Sequence, residues 1–173
     1  MIFASVGSIL PFDRFVRAID EWAGDNPGRD VFLQIGEGEY EPRNVPWARM
    51  MPHDEYRRRL CECSLFVAHV GMGSILQAME ERKQMLALAR HNSLGEHTTD
   101  HQLHTAARFQ GIAGLKIVDT ADELKAEMSA LIDNPMQQAT AISSYASQEL
   151  IENVAQFLRP TLARKSRLTL AHR

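Results

Sequence analysis

Leu65-Phe66-Val67-Ala68 is an apolar run with no polar interruption. A half-exposed strand alternates apolar with polar side chains, whereas a strand covered on both faces does not. Such a run therefore asks for a parallel sheet with helices above and below it. Comparable runs stand at Ile2-Phe3-Ala4-Ser5-Val6, at Val31-Phe32-Leu33-Gln34-Ile35, at 85–88 and at 115–118, with a weaker one at 45–50. Glycine closes the first two, at Gly7 and Gly36, which marks turns.

The intervening segments carry helical periodicity. Phe12, Phe15, Val16, Ile19 and Trp22 recur at three- and four-residue steps, Pro11 suits a first helical position, and Gly24 to Gly28 supplies the stop. Further helices are expected over 52–61, 74–82, 99–110, 121–132 and 142–158. Strands alternating with helices imply right-handed crossovers, so the predicted fold is α/β, a doubly wound, mostly parallel Rossmann-like sheet. One domain is expected over 1–158. Pro160 then opens a basic tail, 159–173, with Arg164, Lys165, Arg167 and Arg173.

With 173 residues, 45% of them hydrophobic, the chain closes one core rather than two. A net charge of −3 argues against nucleic acid as a partner, because phosphate backbones call for a broad positive surface. Two cysteines, Cys61 and Cys63, are too few and too close together for a disulfide scaffold, which points to a reducing compartment. No apolar run nears the roughly 20 residues that span a bilayer, and Met1 to Ala4 lacks the features of a signal peptide. The expected location is cytoplasmic.

In a doubly wound sheet ligands bind beyond the carboxyl ends of the strands. Two glycine turns are expected there, Val6-Gly7-Ser8 and His69-Val70-Gly71-Met72-Gly73-Ser74, the second leading straight into a helix. Glycine admits close approach of backbone amides, and a helix start offers unpaired N–H donors, which together suit a diphosphate. The plainer alternative is that glycine only makes the turn and Ser74 only caps the helix. Leu76 stands where a dinucleotide fingerprint would place its third glycine, which disfavours NAD.

A polar stretch from Asn92 to Gln102 follows the fifth strand. Its side chains suit sugar hydroxyls, and His97 and Glu96 suit proton transfer near neutral pH. The alternative is a solvated helix start with Asp100 at its positive end. His97, His101 and His104 stand at i, i+4 and i+7, so a continuous helix would align them as a zinc site, the basis of a competing hydrolase reading. Cys61 and Cys63 read as small, partly buried side chains rather than a redox pair.

Ile2 to Pro11 with its Val-Gly-Ser turn, His69 to Ser74, and Ser93-Leu-Gly-Glu-His97 followed by Asp100-His-Gln102 together resemble the C-terminal, donor-binding domain of glycosyltransferase family 28. The likeness covers roughly residues 1–135 and is strongest to freestanding versions of that domain, such as the catalytic subunit of the dolichol-linked N-acetylglucosamine transferase and bacterial PssE-type exopolysaccharide subunits. It implies the C-terminal half of a GT-B fold, a UDP-sugar donor, inverting transfer and no required metal or cofactor. It further implies a separate membrane-associated acceptor subunit, recruitment of this chain by that subunit, and a lipid-linked acceptor. By position, Gly7, Ser8, Gly71, Gly73 and Ser74 would line the diphosphate, Glu96, Asp100 and Gln102 would approach the sugar, and His69 and Met72 are further substrate-binding candidates, His69 either facing the ligand or satisfying a local backbone group. Gln77 stands where relatives place an acidic residue for the ribose, a departure that favours the alternative of a nucleotide-sugar-binding subunit without turnover.

Overall fold

Each apolar run splits its side chains between two cores. In the computed structural model of the chain, which describes residues 1–137 and 146–158, Ile2 and Ala4 of β1 (Ile2–Ser5) pack on one face and Phe3 on the other. Strand β4 (Leu65–His69) does the same, with Leu65 and Val67 on the first face and Phe66 and Ala68 on the second. Burying both sides of the pleat is what removes the polar alternation from these strands.

The six strands pair in parallel in the order β3-β2-β1-β4-β5-β6. The remaining four are β2 (Val31–Gln34), β3 (Trp47–Ala48), β5 (Met85–Leu88) and β6 (Leu115–Val118). Helices α1 (Asp13–Asp25) and α5 (Ala121–Asp133) cover the first face. Leu60 of α2 (His53–Glu62), Ile75 and Ala78 of α3 (Met72–Glu80), and Leu103 and Ala106 of α4 (His101–Phe109) cover the second. Full burial of a side chain the size of Phe3 or Phe66 contributes about 1.5–3 kcal/mol, so each face adds substantially to stability.

Three helices and one strand differ from expectation, α3 starting at Met72 rather than at 74 and α4 at His101 rather than at 99. Helix α1 begins at Asp13, not at Pro11, because Phe12 is spent as a buried anchor with extended φ, its ring lying under the Arg90 guanidinium at 4.4 Å. The third strand keeps only two residues. Pro46 before it has no N–H, which suits the edge position, and the strand is held to β2 by Leu33 N donating to Pro46 O and Ile35 N to Ala48 O.

The chain divides into two units, Met1–Ile142 and Ser143–Arg173. Of the last expected helix, residues 148–158 are helical within the second unit, positions 142–145 lie outside the described residues, and so does the basic tail 159–173. Among the described residues no helix is long and apolar enough to cross a membrane.

Candidate functional site

Strands β1 and β4 are neighbours in the middle of the sheet, and from their carboxyl ends the chain leaves in opposite directions. After β1 it forms α1 on one face and proceeds to β2; after β4 it forms α3 on the other face and proceeds to β5. The two departing turns splay apart and leave a crevice, the position at which open α/β sheets bind ligands. A cleft of about 490 Å³ occupies it.

Eight of the expected site residues line this cleft: Gly7, Ser8, His69, Gly73, Ser74, Gln77, His97 and Gln102. Four do not. Gly71 serves the turn itself, since a Cβ there would overlap the His69 ring. Met72 is half-exposed at the start of α3. Asp100 accepts from Asn92 N at 3.1 Å at the surface. Glu96 is buried away from the cleft, its carboxylate bound by Arg14 Nε at 2.7 Å and Nη2 at 2.8 Å and by His91 N at 3.0 Å.

Helix α3 starts without a side-chain cap, as α1, α2 and α4 do. Gly71 is its N-cap and offers no side chain, and the first intrahelical bond is Ile75 N to Gly71 O. Among the described residues no acceptor meets the N–H groups of Met72, Gly73 or Ser74, and Ser74 is not a cap, its Oγ lying 3.4 Å from His69 Nε2. Helix α5 shows the contrast: Thr120 and Glu123 form a complete capping box. The uncapped end therefore presents donors and the positive end of a helix dipole toward the cleft.

Glycine is dictated at the other turn as well. Gly7 has φ +82°, and a Cβ on it would stand 2.6 Å from His69 Nε2. His69 fills the space between the two turns, and burial, aided by the Arg90 charge and His97, pushes its imidazole down to about 4. At neutral pH it is uncharged.

Several cleft residues were not legible as site residues in the sequence. Gln34, buried at the end of β2, donates to Gly7 O at 3.0 Å and Arg49 O at 2.8 Å while accepting from Ser5 Oγ at 2.6 Å, so it ties three strand ends together. Met50, Met51, His53 and Tyr56 form the opposite wall. Arg90 is 2% exposed and donates to the carbonyls of Val6, Leu10, Pro11 and Glu96, clamping the turn between β1 and α1. Burial lowers its guanidinium to about 10, so it stays charged at neutral pH and adds positive potential under the cleft. Among the described residues no aspartate or glutamate lines the cleft.

The aligned histidine site does not form. His97 lies in the turn before α4, which begins only at His101, so the three imidazoles do not share a helix face. Among the described residues no group of three potential ligands gathers for a metal ion. Of the cysteines, Cys61 is exposed and Cys63 is buried, its thiol pushed up to about 11 by desolvation and so unreactive at neutral pH.

No protein-family profile and no curated protein matches the chain. Among solved structures, the glycotransferase of kitacinnamycin superposes with a TM-score of 0.59 at 24% identity, over 78% of this chain and 35% of that enzyme. The glycosyltransferase VinC, in complex with dTDP, is 18% identical over 78% of this chain and 33% of its own, at a TM-score of 0.48. SnogD from Streptomyces nogalater is 18% identical over 77% and 34%, at 0.46. The six-stranded parallel sheet has the α/β fold of the C-terminal half of a GT-B glycosyltransferase. The chain spans 35% of the length of the first of these enzymes.

Proposed function

We propose that the cleft holds a UDP-sugar and that the chain is the donor-binding half of an inverting hexosyltransferase of the family 28 type. A separate membrane-associated subunit brings a lipid-linked acceptor to it at the cytoplasmic face of the membrane. The observation that carries this reading is the uncapped start of α3, opening with Gly73 and Ser74 onto a carboxylate-free cleft at the switch point of the sheet. Unpaired backbone donors, a helix dipole and the charge of Arg90 beneath them suit a diphosphate.

In this reading the acceptor oxygen attacks the anomeric carbon, the bond from that carbon to the diphosphate breaks, and UDP leaves with the bonding electrons. The donors at α3 then meet a growing negative charge, and preorganised donors of this kind are typically worth ~3 kcal/mol of barrier each. His97 lines the cleft, but its Nδ1 accepts from Thr99 N at 3.2 Å, which leaves Nε2 as the protonated nitrogen of the neutral ring. Glu96 is held by Arg14. We therefore assign His97 to binding and Glu96 to positioning the 90–97 segment, and the base for the acceptor hydroxyl to the acceptor subunit. A second reading, nucleotide-sugar binding without turnover, is favoured by the neutral Gln77 and by that same lack of a free carboxylate.

Gly73 tests the assignment sharply. Its backbone needs no glycine, and a Cβ there would meet nothing within 4 Å, so nothing in the described chain requires the space. Gly73→Leu in the first turn of a helix should leave the fold intact or stabilise it by about 0.5–1 kcal/mol. Calorimetric titration should meanwhile show UDP affinity reduced at least tenfold. Undiminished UDP affinity in that folded variant would remove the diphosphate from this turn.

A further inference from the structure

Gln102 lines the cleft yet is nine-tenths buried or more, and its bonds fix the state of His69 without reference to any ligand. The backbone N–H of Arg90 lies 3.2 Å from Gln102 Oε1, and a backbone amide can only donate, so the oxygen of the carboxamide must face it. The amide nitrogen then necessarily faces His69 Nδ1, at 3.0 Å. An NH₂ group can only donate as well, so Nδ1 must carry a lone pair and the ring proton must sit on Nε2. A doubly protonated ring would set Nδ1–H against N–H.

Resting on the nucleotide reading of the cleft, we propose that Gln102 is a positioning residue that locks His69 in the tautomer protonated on Nε2. An uncharged N–H donor thereby stands permanently between the two glycine turns for an anionic oxygen of the ligand. Nε2 is the atom closest to the Cβ position of Gly7 and lies 3.4 Å from Ser74 Oγ, a long contact that a phosphate oxygen improves upon. Arg90 and His97, the charged and titratable groups facing the ring, both disfavour its cationic form, as does burial.

The order Ser74, His69, Gln102 imitates a nucleophile, an imidazole and its orienting partner, but with the hydrogens reversed. In a working triad Nδ1–H is donated to the third residue and Nε2 takes the serine proton. Here the third residue donates to Nδ1 and Nε2 is already protonated. Ser74 is therefore not activated, and His69 cannot serve as a base toward the cleft.

The test is nitrogen NMR of the full chain labelled with ¹⁵N-histidine, recorded without ligand from pH 5.5 to 8, with His69→Gln identifying the signals. Nδ1 should be unprotonated and Nε2 protonated throughout; a ring protonated on Nδ1 at pH 7 would overturn the proposal. In Gln102→Glu the carboxylate accepts from Nδ1–H, so the tautomer should invert and the ring should titrate at higher pH. UDP affinity at pH 8 should then fall roughly ten- to hundredfold, the range for losing one hydrogen bond to a charged group. The loss should shrink as acid restores a proton to Nε2, a pH response that mere destabilisation would not produce. An unchanged tautomer in Gln102→Glu would sink the lock. If wild-type His69 shows the stated tautomer but UDP leaves its Nε2 signal unmoved, the lock stands and the nucleotide reading of the cleft fails.

Discussion

His69 is the residue on which the two turns converge, and its protonation links the cleft to folding. Its ordinary value of 6.5 is lowered to about 4, first by desolvation, next by the Arg90 charge, with His97 adding a small decrease. Between those two pH values the unfolded chain accepts a proton that the folded chain refuses. Stability from this group is therefore complete above pH 6.5 and is lost as pH falls toward 4, by about 3 kcal/mol for a difference of this size. Urea midpoints at pH 7 and pH 4.5 should show this fall in the wild type and a visibly shallower one in His69→Gln. Equal slopes in the two proteins would mean that other groups govern the acid response. The glycines at 7 and 71 were readable as turns, yet their reason was not: a histidine ring that occupies the space of both missing Cβ atoms is a tertiary fact.

At the scale of elements, the turn from β1 to α1 is shaped by a side chain from the far end of β5. Arg90 spreads its guanidinium over carbonyls of Val6, Leu10 and Pro11 and stacks on Phe12, so a segment of loop is tied to the end of β5. A lysine keeps the charge but not the planar fork, and buried carbonyls left without a donor cost about 1–3 kcal/mol each. Arg90→Lys should therefore lose roughly 3 kcal/mol or more of stability. Amide exchange should accelerate selectively over residues 6–12; protection there equal to wild type would show that the loop does not depend on the clamp. The central strands and the glycine turn leading into α3 were legible because uninterrupted apolarity and a strand-glycine-helix succession are local signals, although the helix starts at Met72 and not at Ser74. Arg90 was not, since a single arginine has no periodicity and its partners lie about 80 positions earlier. Glu96 was misjudged as a cleft residue for the same reason: Arg14, which claims its carboxylate, is 82 residues away. The third strand was overestimated because the run at 45–50 does not reveal that only Trp47 and Ala48 pair as strand.

For the molecule as a whole, the decisive fact is that one sheet, covered by helices on both faces, presents a cleft in which no carboxylate stands among the described lining residues. On the nucleotide reading such a site suits an anion, and its described walls supply no carboxylate to deprotonate an acceptor hydroxyl. Binding and turnover should consequently separate. A ligand present at 100 times its Kd stabilises the folded state by about 2.7 kcal/mol, which for a domain of this size raises Tm by roughly 5–10 °C. In a thermal-shift panel UDP and UDP-sugars should produce such a rise with the chain alone, whereas consumption of UDP-sugar should require an added acceptor-binding subunit and a lipid-linked acceptor. Transfer at the full rate by that subunit without this chain would make the chain a sensor or an assembly factor. A panel in which no nucleotide raises Tm would instead remove nucleotide binding, because the glycine turns, the Arg90 clamp and His69 that shape the cleft all belong to this chain.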